Sequence, residues 1–494
     1  MAAEWGQITP EEIISPISGV VEFSSASATP EKERVFITGL STDSRNISPG
    51  MLFWALKGER YDGHDFVQTA IQESAAGIVV QKDWWERNSG LFLSDLRIHR
   101  SSPALAPAVI TVQDTLKALG DLARWWRHKH KARVIGITGS TGKTTTKEMT
   151  ASILELGDKT LKNRGNFNNL IGLPLTLLQL HEEYRNAILE MGMNHPGEIA
   201  RLTEIADPDI GLITNIGMAH IEGLGSLEGI VRAKWELAET ISQKARIIIN
   251  GDDELLKQKA ASSTGEIITF GLGRENDVIA KNIRNFGEKG FSFEISFQDT
   301  SFSIKLPVPG LQNVLNALAS ASVALCLDEI PGQIAEGLLR FRGIKGRFMI
   351  IRLADDIVLI DDTYNANPLS LKAALQSIET MAESNRGRII IALGEMMELG
   401  SETVKAHKEA GKQVAGVHPF HFIAMGEHAF EMAQGAIESD MQKGKKGSIE
   451  IVKSHDEMIQ SIREKMRAGD LIYLKGSRKA EMDKVVEGLQ SKAR

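Results

Sequence analysis

The stretch 136–149, GITGSTGKTTTKEM, combines the residue types that bind phosphate. Glycines let backbone N–H groups converge on phosphate oxygens, a lysine reaches the terminal phosphates of a nucleotide, and the next hydroxyl binds Mg²⁺. Lys143 and Thr144 stand in these two places. The spacing is G-x-x-G-x-x-G-K-T, because Ile137 stands where the usual G-x-x-x-x-G-K-[ST] pattern has a glycine. An ordinary glycine-rich turn is the alternative, but the apolar strand before the loop and the helical pattern after it favour a nucleotide site.

Hard oxygen ligands for a Mg²⁺-nucleotide are expected at the carboxyl ends of neighbouring strands. Glu190 ends the apolar strand NAILEMG, and His220 follows the next one, DIGLITNIG. A strand-end glutamate is often simply solvated and a lone histidine is often structural, but their place after the phosphate loop favours a metal site. The predicted phosphate contacts are Gly139, Ser140, Thr141, Gly142, Lys143, Thr144 and Thr145.

Lys234 occupies an unusual position for a lysine. Residues 226–243 predict a helix that Ser226 caps, and its apolar stripe includes Ile230 and Leu237, with Lys234 at the centre. An unpaired ammonium is costly to bury. Lys234 therefore either extends its charge to water along an apolar stem or serves an active site, paired or converted to an anion. Periodicity alone leaves both alternatives open.

The elements that position these residues follow a strand–helix rhythm. Apolar strands alternate with helices from residue 132, and again from about residue 345, which predicts parallel sheets covered by helices. Residues 291–306 alternate like an exposed antiparallel hairpin, and the helix predicted over 111–131 marks a first boundary. A chain of 494 residues is too long for one core. We therefore predict three α/β domains, at 1–112, 113–341 and 342–494.

Composition restricts the classes of partner. The net charge is −7, which disfavours nucleic acid as a partner. The single cysteine, Cys326, is predicted to be a buried, inert thiol, which fits a reducing compartment. The chain has no apolar run of about 18 residues and its start lacks an apolar signal core. We expect a cytoplasmic protein with no nucleic-acid partner and no membrane span.

A set of longer motifs occurs in one order along nearly the whole chain, and together they resemble the Mur ligases, the ATP-dependent amide-forming enzymes of peptidoglycan synthesis. The segment 41–66, STDSRNISPGMLFWALKGERYDGHDF, is similar to the UDP-sugar-binding segment of that family. The other matches are NFNNLIGLPLTLL (166–178), ILEMGMNHPGEIA (188–200), NIGMAHIEGLGSLEGIVRAKWE (215–236), DDTYNANPLSL (361–371), ALGEMMELG (392–400) and LKGSR (474–478).

The resemblance implies a fold and a reaction. The fold would be a small α/β UDP-binding N-terminal domain, a central P-loop ATPase domain with a parallel sheet, and a Rossmann-like C-terminal α/β domain. YNANP and LGEMMELG resemble the member that joins D-alanyl-D-alanine to UDP-N-acetylmuramoyl-tripeptide through an acyl phosphate. ATP, two Mg²⁺ ions and a monomeric enzyme are then expected. Diaminopimelate and lysine both stay open as the third peptide residue.

The resemblance also implies residue roles. Lys143 and Thr144 match contacts to the γ-phosphate and Mg²⁺, and Glu190 matches a metal ligand. His220 matches a ligand of a second Mg²⁺, and Lys234 matches a carbamylated lysine whose carbamate serves that metal. The other matches are Asn316, Arg347 and Asp362 for the nucleotide, Ser44, Arg45, Asp62, Gly63 and His64 for UDP, and Asn168 and Asn169 near the ATP phosphates.

Some positions depart from the family or stay open. Gln312 stands where the family has a histidine, and Glu395 where it has an aspartate. Tyr364, Asn365 and Asn367 fit a turn as well as a dipeptide site, because Asn-Pro favours turns. Folylpolyglutamate synthetase is the nearest enzyme alternative, but the STDSR and YNANP motifs argue against it. A P-loop GTPase would need a guanine-reading N-K-x-D motif, and a non-catalytic binding protein would not need the full set of lysine and metal-ligand candidates.

Overall fold

The described residues of the computed structural model are 3–23, 36–58, 60–98, 107–218, 221–384, 387–439 and 447–491. They form three sheets that follow one another along the chain, each with helices packed on it. The predicted fold class of three α/β domains is therefore confirmed. The boundaries at residues 112 and 341 stay predictions.

The N-terminal sheet mixes parallel and antiparallel pairs. Its strands are β1 (Ala3–Ile8), β2 (Val20–Phe23), β3 (Ile37–Ser41), β4 (Met51–Trp54), β5 (Gly77–Gln81) and β6 (Ala108–Val112). Their order is β1-β3-β4-β5-β6-β2, with the inner pairs parallel and both outer pairs antiparallel. The helices are α1 (Pro10–Ile17), α2 (Val67–Gln72) and α3 (Lys82–Ile98), and α4 (Thr115–Lys129) follows β6 as the first helix of the predicted central domain.

The helix predicted over 111–131 begins later than expected. Its first residues belong to β6, and α4 starts at Thr115, where the Asp114 carboxylate accepts hydrogen bonds from two backbone N–H groups at 2.8 and 3.0 Å. An aspartate in this position caps a helix because it satisfies N–H groups that have no partner within the helix. On the buried face, the Trp126 ring lies 5.2 Å from Trp5 of β1, so the N-terminal and central domains share one apolar core.

The central sheet carries the phosphate-binding candidate. Its strands are β7 (Arg133–Thr138), β8 (Thr160–Lys162), β9 (Asn186–Glu190), β10 (Ile210–Ile213), β11 (Arg246–Asn250), β12 (Ile267–Gly271), β13 (Val278–Asn285), β14 (Phe291–Phe297) and β15 (Thr300–Leu306). The order is β15-β14-β13-β12-β11-β10-β7-β9-β8, parallel from β8 to β13. The helices are α5 (Lys143–Leu154), α6 (Gly172–Leu177), α7 (Glu198–Ala206), α8 (Ile221–Leu224), α9 (Leu227–Thr240), α10 (Glu254–Ala260), α11 (Leu311–Cys326) and α12 (Pro331–Arg340).

The predicted hairpin over 291–306 is present as β14 and β15, which pair antiparallel. It was expected to be exposed, but one of its faces is buried. Phe291, Phe293 and Ile295 point to one face and are buried in the same core as Leu338 of α12. The hairpin thus extends the central sheet, and alternation of apolar and polar residues reflects one buried face.

The C-terminal domain repeats the parallel arrangement. Its strands are β16 (Met349–Arg352), β17 (Val358–Asp362), β18 (Ile389–Leu393), β19 (His421–Met425), β20 (Ser448–Val452) and β21 (Leu471–Lys475). The order is β16-β17-β21-β18-β19-β20, with β16 antiparallel at one edge. The helices are α13 (Pro368–Ser384), α14 (Thr403–Gly416), α15 (Ala429–Glu438), α16 (His455–Lys465) and α17 (Asp483–Gln490).

Two expectations about the chain as a whole can be compared with the structure. Cys326 is half-buried rather than fully buried, and desolvation raises the pKa of its thiol to about 11, so the thiol is largely protonated at neutral pH. No helix in the described part of the chain combines the length and the apolar character that crossing a membrane requires.

Candidate active site

A cavity of about 1000 Å³ lies between the central and C-terminal domains. Its wall includes the phosphate-loop candidates Ser140 to Thr145, and it includes strand-end residues from both parallel sheets, Glu190, Asp362 and Lys475. Ligands of parallel α/β sheets bind at the carboxyl ends of the strands. The two domains therefore present their functional edges to one space.

The phosphate-loop candidate needs glycine at two positions. Gly139 and Gly142 have φ values of +146° and +83°, which side chains other than glycine rarely adopt. A Cβ at Gly139 would lie 1.9 Å from Thr214 Oγ1, and one at Gly142 would lie 2.4 Å from Asn316 Oδ1. α5 then starts at Lys143, whose Nζ donates to the Gly139 carbonyl at 2.7 Å. The loop is folded back on its own lysine at the N-terminus of a helix, where anions are favoured.

The Thr144 hydroxyl is the centre of a hydrogen-bond chain. It donates to Glu190 Oε2 at 2.8 Å and accepts from Arg347 Nη2 of the C-terminal domain at 3.2 Å. The other Glu190 oxygen accepts from Asn168 Nδ2 at 2.9 Å. Asn163 fixes the Glu190 backbone through one donated and one accepted bond. Two hard oxygen donors, the hydroxyl and the carboxylate, thus lie side by side next to the phosphate loop.

Burial shifts the pKa values of two lysines near this chain of hydrogen bonds. Burial lowers the pKa of Lys143, although the negative charge of Glu190 opposes that shift. Lys234 lies on α9, which begins as predicted after the Ser226 cap, and only 1% of its surface is exposed. Burial holds the pKa of Lys234 well below its usual value, and the positive charge of Lys143 adds to the effect. The alternative that Lys234 extends to water is therefore wrong.

The remaining metal candidates are only partly visible. His220 lies outside the described residues. Within the described ranges, no group of three or more His, Cys, Asp and Glu side chains is arranged to hold a metal ion. What the structure brings together is the pair Thr144 and Glu190, with the Lys143 charge acting on Lys234 nearby.

The candidate nucleotide contact Asn316 lies on α11. Asn316 Oδ1 accepts from Thr146 Oγ1 at 3.4 Å and its Nδ2 donates to Asn313 at 3.1 Å. Gln312, which stands where the family has a histidine, accepts from Ser377 of α13 at 3.1 Å. That bond joins the central and C-terminal domains. Asn316 and Gln312 both line the cavity.

The C-terminal wall contains a buried charge pair that the motifs did not single out. Asp362 Oδ2 accepts from Lys475 Nζ at 2.6 Å and from Tyr473 Oη at 2.9 Å, and its Oδ1 accepts from the Phe348 backbone at 3.2 Å. Lys475 also donates to the Asn365 carbonyl at 3.1 Å. Lys475 belongs to the LKGSR motif and is the last residue of a buried apolar strand. A charged residue at the end of such a strand was the sequence signal that could have identified it as a site residue.

The YNANP segment has both turn and cavity features. The Tyr364 ring has the guanidinium carbons of Arg347 and Arg478 at 4.1 and 5.6 Å from its centroid. Asn367 Oδ1 accepts from Ser370 N at 2.8 Å, which is the bond of a helix cap at the start of α13. Asn365 accepts from the next backbone N–H at 2.9 Å. The side chains of the two asparagines therefore stabilise the turn and the helix start, and both residues also line the cavity.

The candidate UDP residues lie in the N-terminal domain and are not part of the cavity wall. Arg45 pairs with Asp43, and that hydrogen bond lowers the pKa of Asp43 to about 2. His64 is buried, its Nδ1 lies 2.6 Å from Asp62 Oδ1, and its Nε2 accepts from the Gln81 backbone at 3.0 Å. Ser44 is buried, and a Cβ at Gly63 would lie 2.6 Å from the Leu56 backbone nitrogen.

Asn168 and Asn169 have separate local roles. Asn168 bonds Glu190, as described above, whereas the Asn169 side chain accepts from the backbone at the start of α6 at 2.9 and 3.2 Å. Both residues line the cavity beside the phosphate loop.

The sequence matches one protein family along most of its length. Residues 36–127 match the family described as "Mur ligase family, catalytic domain", residues 137–324 the "Mur ligase middle domain", and residues 346–478 the "Mur ligase, glutamate ligase domain". The chain belongs to the Mur ligase family.

Within this family, the chain is similar to relatives that are named for one particular ligase. The chain is 35% identical over 462 residues to the UDP-N-acetylmuramoyl-tripeptide–D-alanyl-D-alanine ligase of Bacillus subtilis, covering 94% of this chain and 95% of the relative. It is similar to the crystal structure of MurF from Acinetobacter baumannii with a TM-score of 0.84 at 31% identity, covering 99% of each chain. It is also similar to MurF ligase from Thermotoga maritima in complex with ADP, with a TM-score of 0.76 at 26% identity over 91% of this chain and 96% of that one.

Proposed function

We propose that this chain is an ATP-dependent ligase that joins D-alanyl-D-alanine to UDP-N-acetylmuramoyl-tripeptide in peptidoglycan precursor synthesis. The observation that carries the proposal is the cavity in which the Lys143–Thr144–Glu190 group of the central domain meets Arg347 of the C-terminal domain. Relatives named for this reaction cover nearly the whole chain. The proposed ligase function is favoured over folylpolyglutamate synthesis because the STDSR and YNANP motifs argue against the latter. The relatives named for the ligase reaction also cover both the N-terminal and the C-terminal segments.

The reaction needs an activated carboxylate, because a carboxylate is a poor electrophile at neutral pH. An oxygen of the tripeptide carboxylate attacks the γ-phosphorus of ATP, the bond to the β-phosphate oxygen breaks, and ADP leaves. The amine of D-alanyl-D-alanine then attacks the acyl carbon. The C–O bond to phosphate breaks, the amine loses a proton, and amide and inorganic phosphate are released.

The residues of this chain contribute position and charge to that sequence. Lys143 and the backbone N–H groups of the loop hold the terminal phosphates and offset the charge that develops on them. Arg347 adds a second cation from the opposite wall. Holding both substrates between two domains converts a bimolecular encounter into an oriented one. The cations contribute most at the phosphoryl-transfer step, where negative charge is concentrated.

The residues at Thr144 and Glu190 fit a Mg²⁺ ion, because a hydroxyl and a carboxylate in hydrogen-bond contact are the hard oxygen donors that this ion prefers. Mg²⁺, when bound, supplies positive charge to the phosphate oxygens. We assign Thr144 and Glu190 to one ion. His220 and Lys234 are assigned to a second.

Lys234 suits a carbamate. Its burial favours the neutral amine, which is the form that attacks the carbon of CO₂. An N–C bond forms, the nitrogen loses a proton, and the product carries a negative charge with two oxygens. A buried anion of this kind is offset by a neighbouring cation, and Lys143 lies close enough to act on Lys234 electrostatically.

The remaining predicted residues are assigned by position. Asn316, Arg347 and Asp362 are assigned to the nucleotide, and Asn168 and Asn169 to its phosphate side. Tyr364, Asn365 and Asn367 are assigned to the dipeptide side, and Ser44, Arg45, Asp62, Gly63 and His64 to UDP. The enzyme is proposed to act as a monomer in the cytoplasm, where UDP-linked precursors and ATP meet.

The test is the release of ADP and phosphate by the purified chain, with and without D-alanyl-D-alanine. The supporting result is release that depends on both UDP-tripeptide and the dipeptide, with a product whose mass equals their sum less water. Tripeptides that end in diaminopimelate or lysine are compared in parallel. Release that depends instead on L-glutamate and a folate acceptor would assign the chain to folylpolyglutamate synthesis.

A further inference from the structure

The loop between β18 and α14 runs along the cavity and carries Met397 and Glu398 on its wall. Glu398 has φ +64°, a left-handed conformation that non-glycine residues rarely adopt. Its negative charge acts on Lys143 and opposes the burial that lowers the pKa of that lysine. The loop, residues 394–400, thus places the negative charge of Glu398 near Lys143. Its unfavourable backbone conformation at Glu398 requires stabilising contacts elsewhere in the loop.

The same loop touches the central domain. The Glu398 carbonyl accepts from the Glu222 backbone N–H of α8 at 3.3 Å, and a Cβ at Gly400 would lie 3.4 Å from the Glu222 Cα. α8 begins at Ile221, directly after His220, the residue assigned above to a metal. A change in the loop would therefore alter both the charge near Lys143 and the backbone contact with α8.

His407 of α14 holds the loop from behind. Its ring is fully buried, and its Nε2 accepts from the Met396 backbone N–H at 2.9 Å. Nδ1 lies 2.7 Å from the Thr403 carbonyl, which can only accept, so Nδ1 carries the proton. The tautomer is fixed by these two bonds, since one nitrogen must accept while the other donates.

The groups that face His407 come from neighbouring elements. The His428 ring packs against it at a tilt of 36°, with ring centroids 4.8 Å apart, and Glu395 and Glu431 act on it through their charges. Burial lowers the pKa of His407, which favours the neutral ring that the Met396 bond requires. The surroundings therefore maintain an acceptor at Nε2.

We propose that His407 is a positioning residue for the ligation reaction: its Nε2 holds the 394–400 loop so that Glu398 faces Lys143 and the Glu398 carbonyl meets α8. The ring touches no substrate and acts through the Met396 backbone. This inference rests on the proposed ligase function, and it assigns a role to a residue outside the predicted site.

Two substitutions separate the two ring nitrogens. His407→Gln can present an acceptor where Nε2 lies, whereas His407→Asn can present only a donor where Nδ1 lies. We expect His407→Asn to lower kcat about tenfold, the effect of losing one hydrogen bond that positions the loop, with the Kd for ADP changed less than about twofold. His407→Gln should recover most of kcat.

His421→Asn is the matched control. His421 is also fully buried in the C-terminal domain, where its ring nitrogens contact Ser448 Oγ at 2.7 Å and Ser461 Oγ at 3.1 Å, and it is not part of the cavity wall. It should lower Tm but leave kcat near the wild-type value. Equal losses of kcat in His407→Asn and His421→Asn, or no recovery in His407→Gln, would overturn the proposal.

Hydrogen exchange gives a readout that does not need activity. The backbone amides of residues 394–400 should exchange faster in His407→Asn than in wild type and His407→Gln, and at an unchanged rate in His421→Asn. If the wild type shows no dipeptide-dependent ADP release, the ligase function fails while exchange still decides whether His407 holds the loop. If His407→Asn does not fold, His407→Leu, which removes both ring nitrogens, takes its place: faster exchange of residues 394–400 than in His407→Gln supports the proposal, and an equal rate contradicts it.

Discussion

Two lysines are almost fully buried in the two parallel-sheet domains, and their surroundings differ. Lys475, at the end of β21, donates to Asp362 Oδ2 at 2.6 Å and to the Asn365 carbonyl at 3.1 Å. Lys234, on α9, has no ion-pair partner among the residues that the structure describes. Burial lowers the pKa of both, but Asp362 opposes the shift at Lys475, whereas Lys143 reinforces it at Lys234.

The comparison shows which of the two buried lysines has partners within the protein that stabilise its charge. Lys475 is part of a paired, hydrogen-bonded group, the condition under which a buried charge is tolerated. Lys234 meets a like charge, so its ammonium form is disfavoured and its neutral amine is favoured. Lys475 is paired within the fold, whereas Lys234 is the lysine that we propose to react with CO₂.

The largest expected effect is at Lys143, the like charge that Lys234 experiences. Lys143→Ala should lower kcat by about a thousandfold or more, because a cation directed at the transferred phosphate is lost. Steady-state release of ADP measures the loss, and the melting temperature, close to that of the wild type, serves as the control. Turnover near the wild-type level would exclude Lys143 from the phosphate site.

The next prediction tests Lys234 directly. Lys234→Ala should lower kcat about a hundredfold or more, because a proposed metal ligand is removed. Acetate or formate should partly restore activity, since a free carboxylate can enter the vacated space and replace a carbamate. Rates measured with and without added carboxylate check this.

Lys234→Arg is the control for charge. It keeps the positive charge but cannot form the carbamate in the same place, so it should stay inactive with and without acetate. An active arginine variant would mean that Lys234 acts as a cation, and the contrast with Lys475 would then be wrong. The mass of the wild-type protein in bicarbonate, measured under native conditions, provides a second check.

Breaking the satisfied pair should affect stability first. Lys475→Met should lower the free energy of unfolding by about 3 kcal/mol, because it leaves Asp362 buried without its cation. The double variant with Asp362→Asn should lose less than the sum of the two single variants, since no carboxylate then remains unpaired. Urea denaturation measures all three. Additive losses would show that the two side chains do not act as a pair.

The smallest effect is expected at a third buried lysine. Lys147 donates to the Asn163 carbonyl at 2.6 Å and lies 3.2 Å from Glu148, which also pairs with Lys162 at 2.9 Å. Lys147→Met strands no carboxylate, so we expect a loss of about 1 kcal/mol in the free energy of unfolding. The same urea experiment measures it. A loss as large as that of Lys475→Met would show that leaving a buried carboxylate without its cation is not what makes a lysine substitution costly.

Much of the fold could be predicted from local patterns. The apolar strands that end at Thr138, Glu190 and Asp362 were readable because parallel strands are buried on both faces and appear as continuous apolar runs. The helix after Ser226 was readable from its cap and stripe. Strands such as β12 and β16 were not predicted. Most of their side chains are only half-buried, so neither has the continuous apolar run of a strand that is buried on both faces.

The candidate site was predictable to the extent that single residues carry a signal. Lys143, Thr144 and Glu190 were identified from type and spacing, and the structure brings the last two into contact. The pairing of Lys475 with Asp362 spans 113 residues of sequence separation, and the role proposed for His407 passes through a backbone N–H. Neither contact leaves a local pattern, because each depends on how two segments meet in space.

The Thr144 hydroxyl has a consequence for how the two domains are connected. Its hydrogen is given to Glu190 and its oxygen receives Arg347, so its donor and one acceptor position are in use. A hydroxyl oxygen has two lone pairs, so one position on the Thr144 oxygen remains for an occupant of the phosphate site while Arg347 keeps its bond. The hydroxyl can therefore contact an occupant of the central domain and Arg347 of the C-terminal domain at the same time, so a single oxygen atom connects the two domains at the point where phosphate is expected.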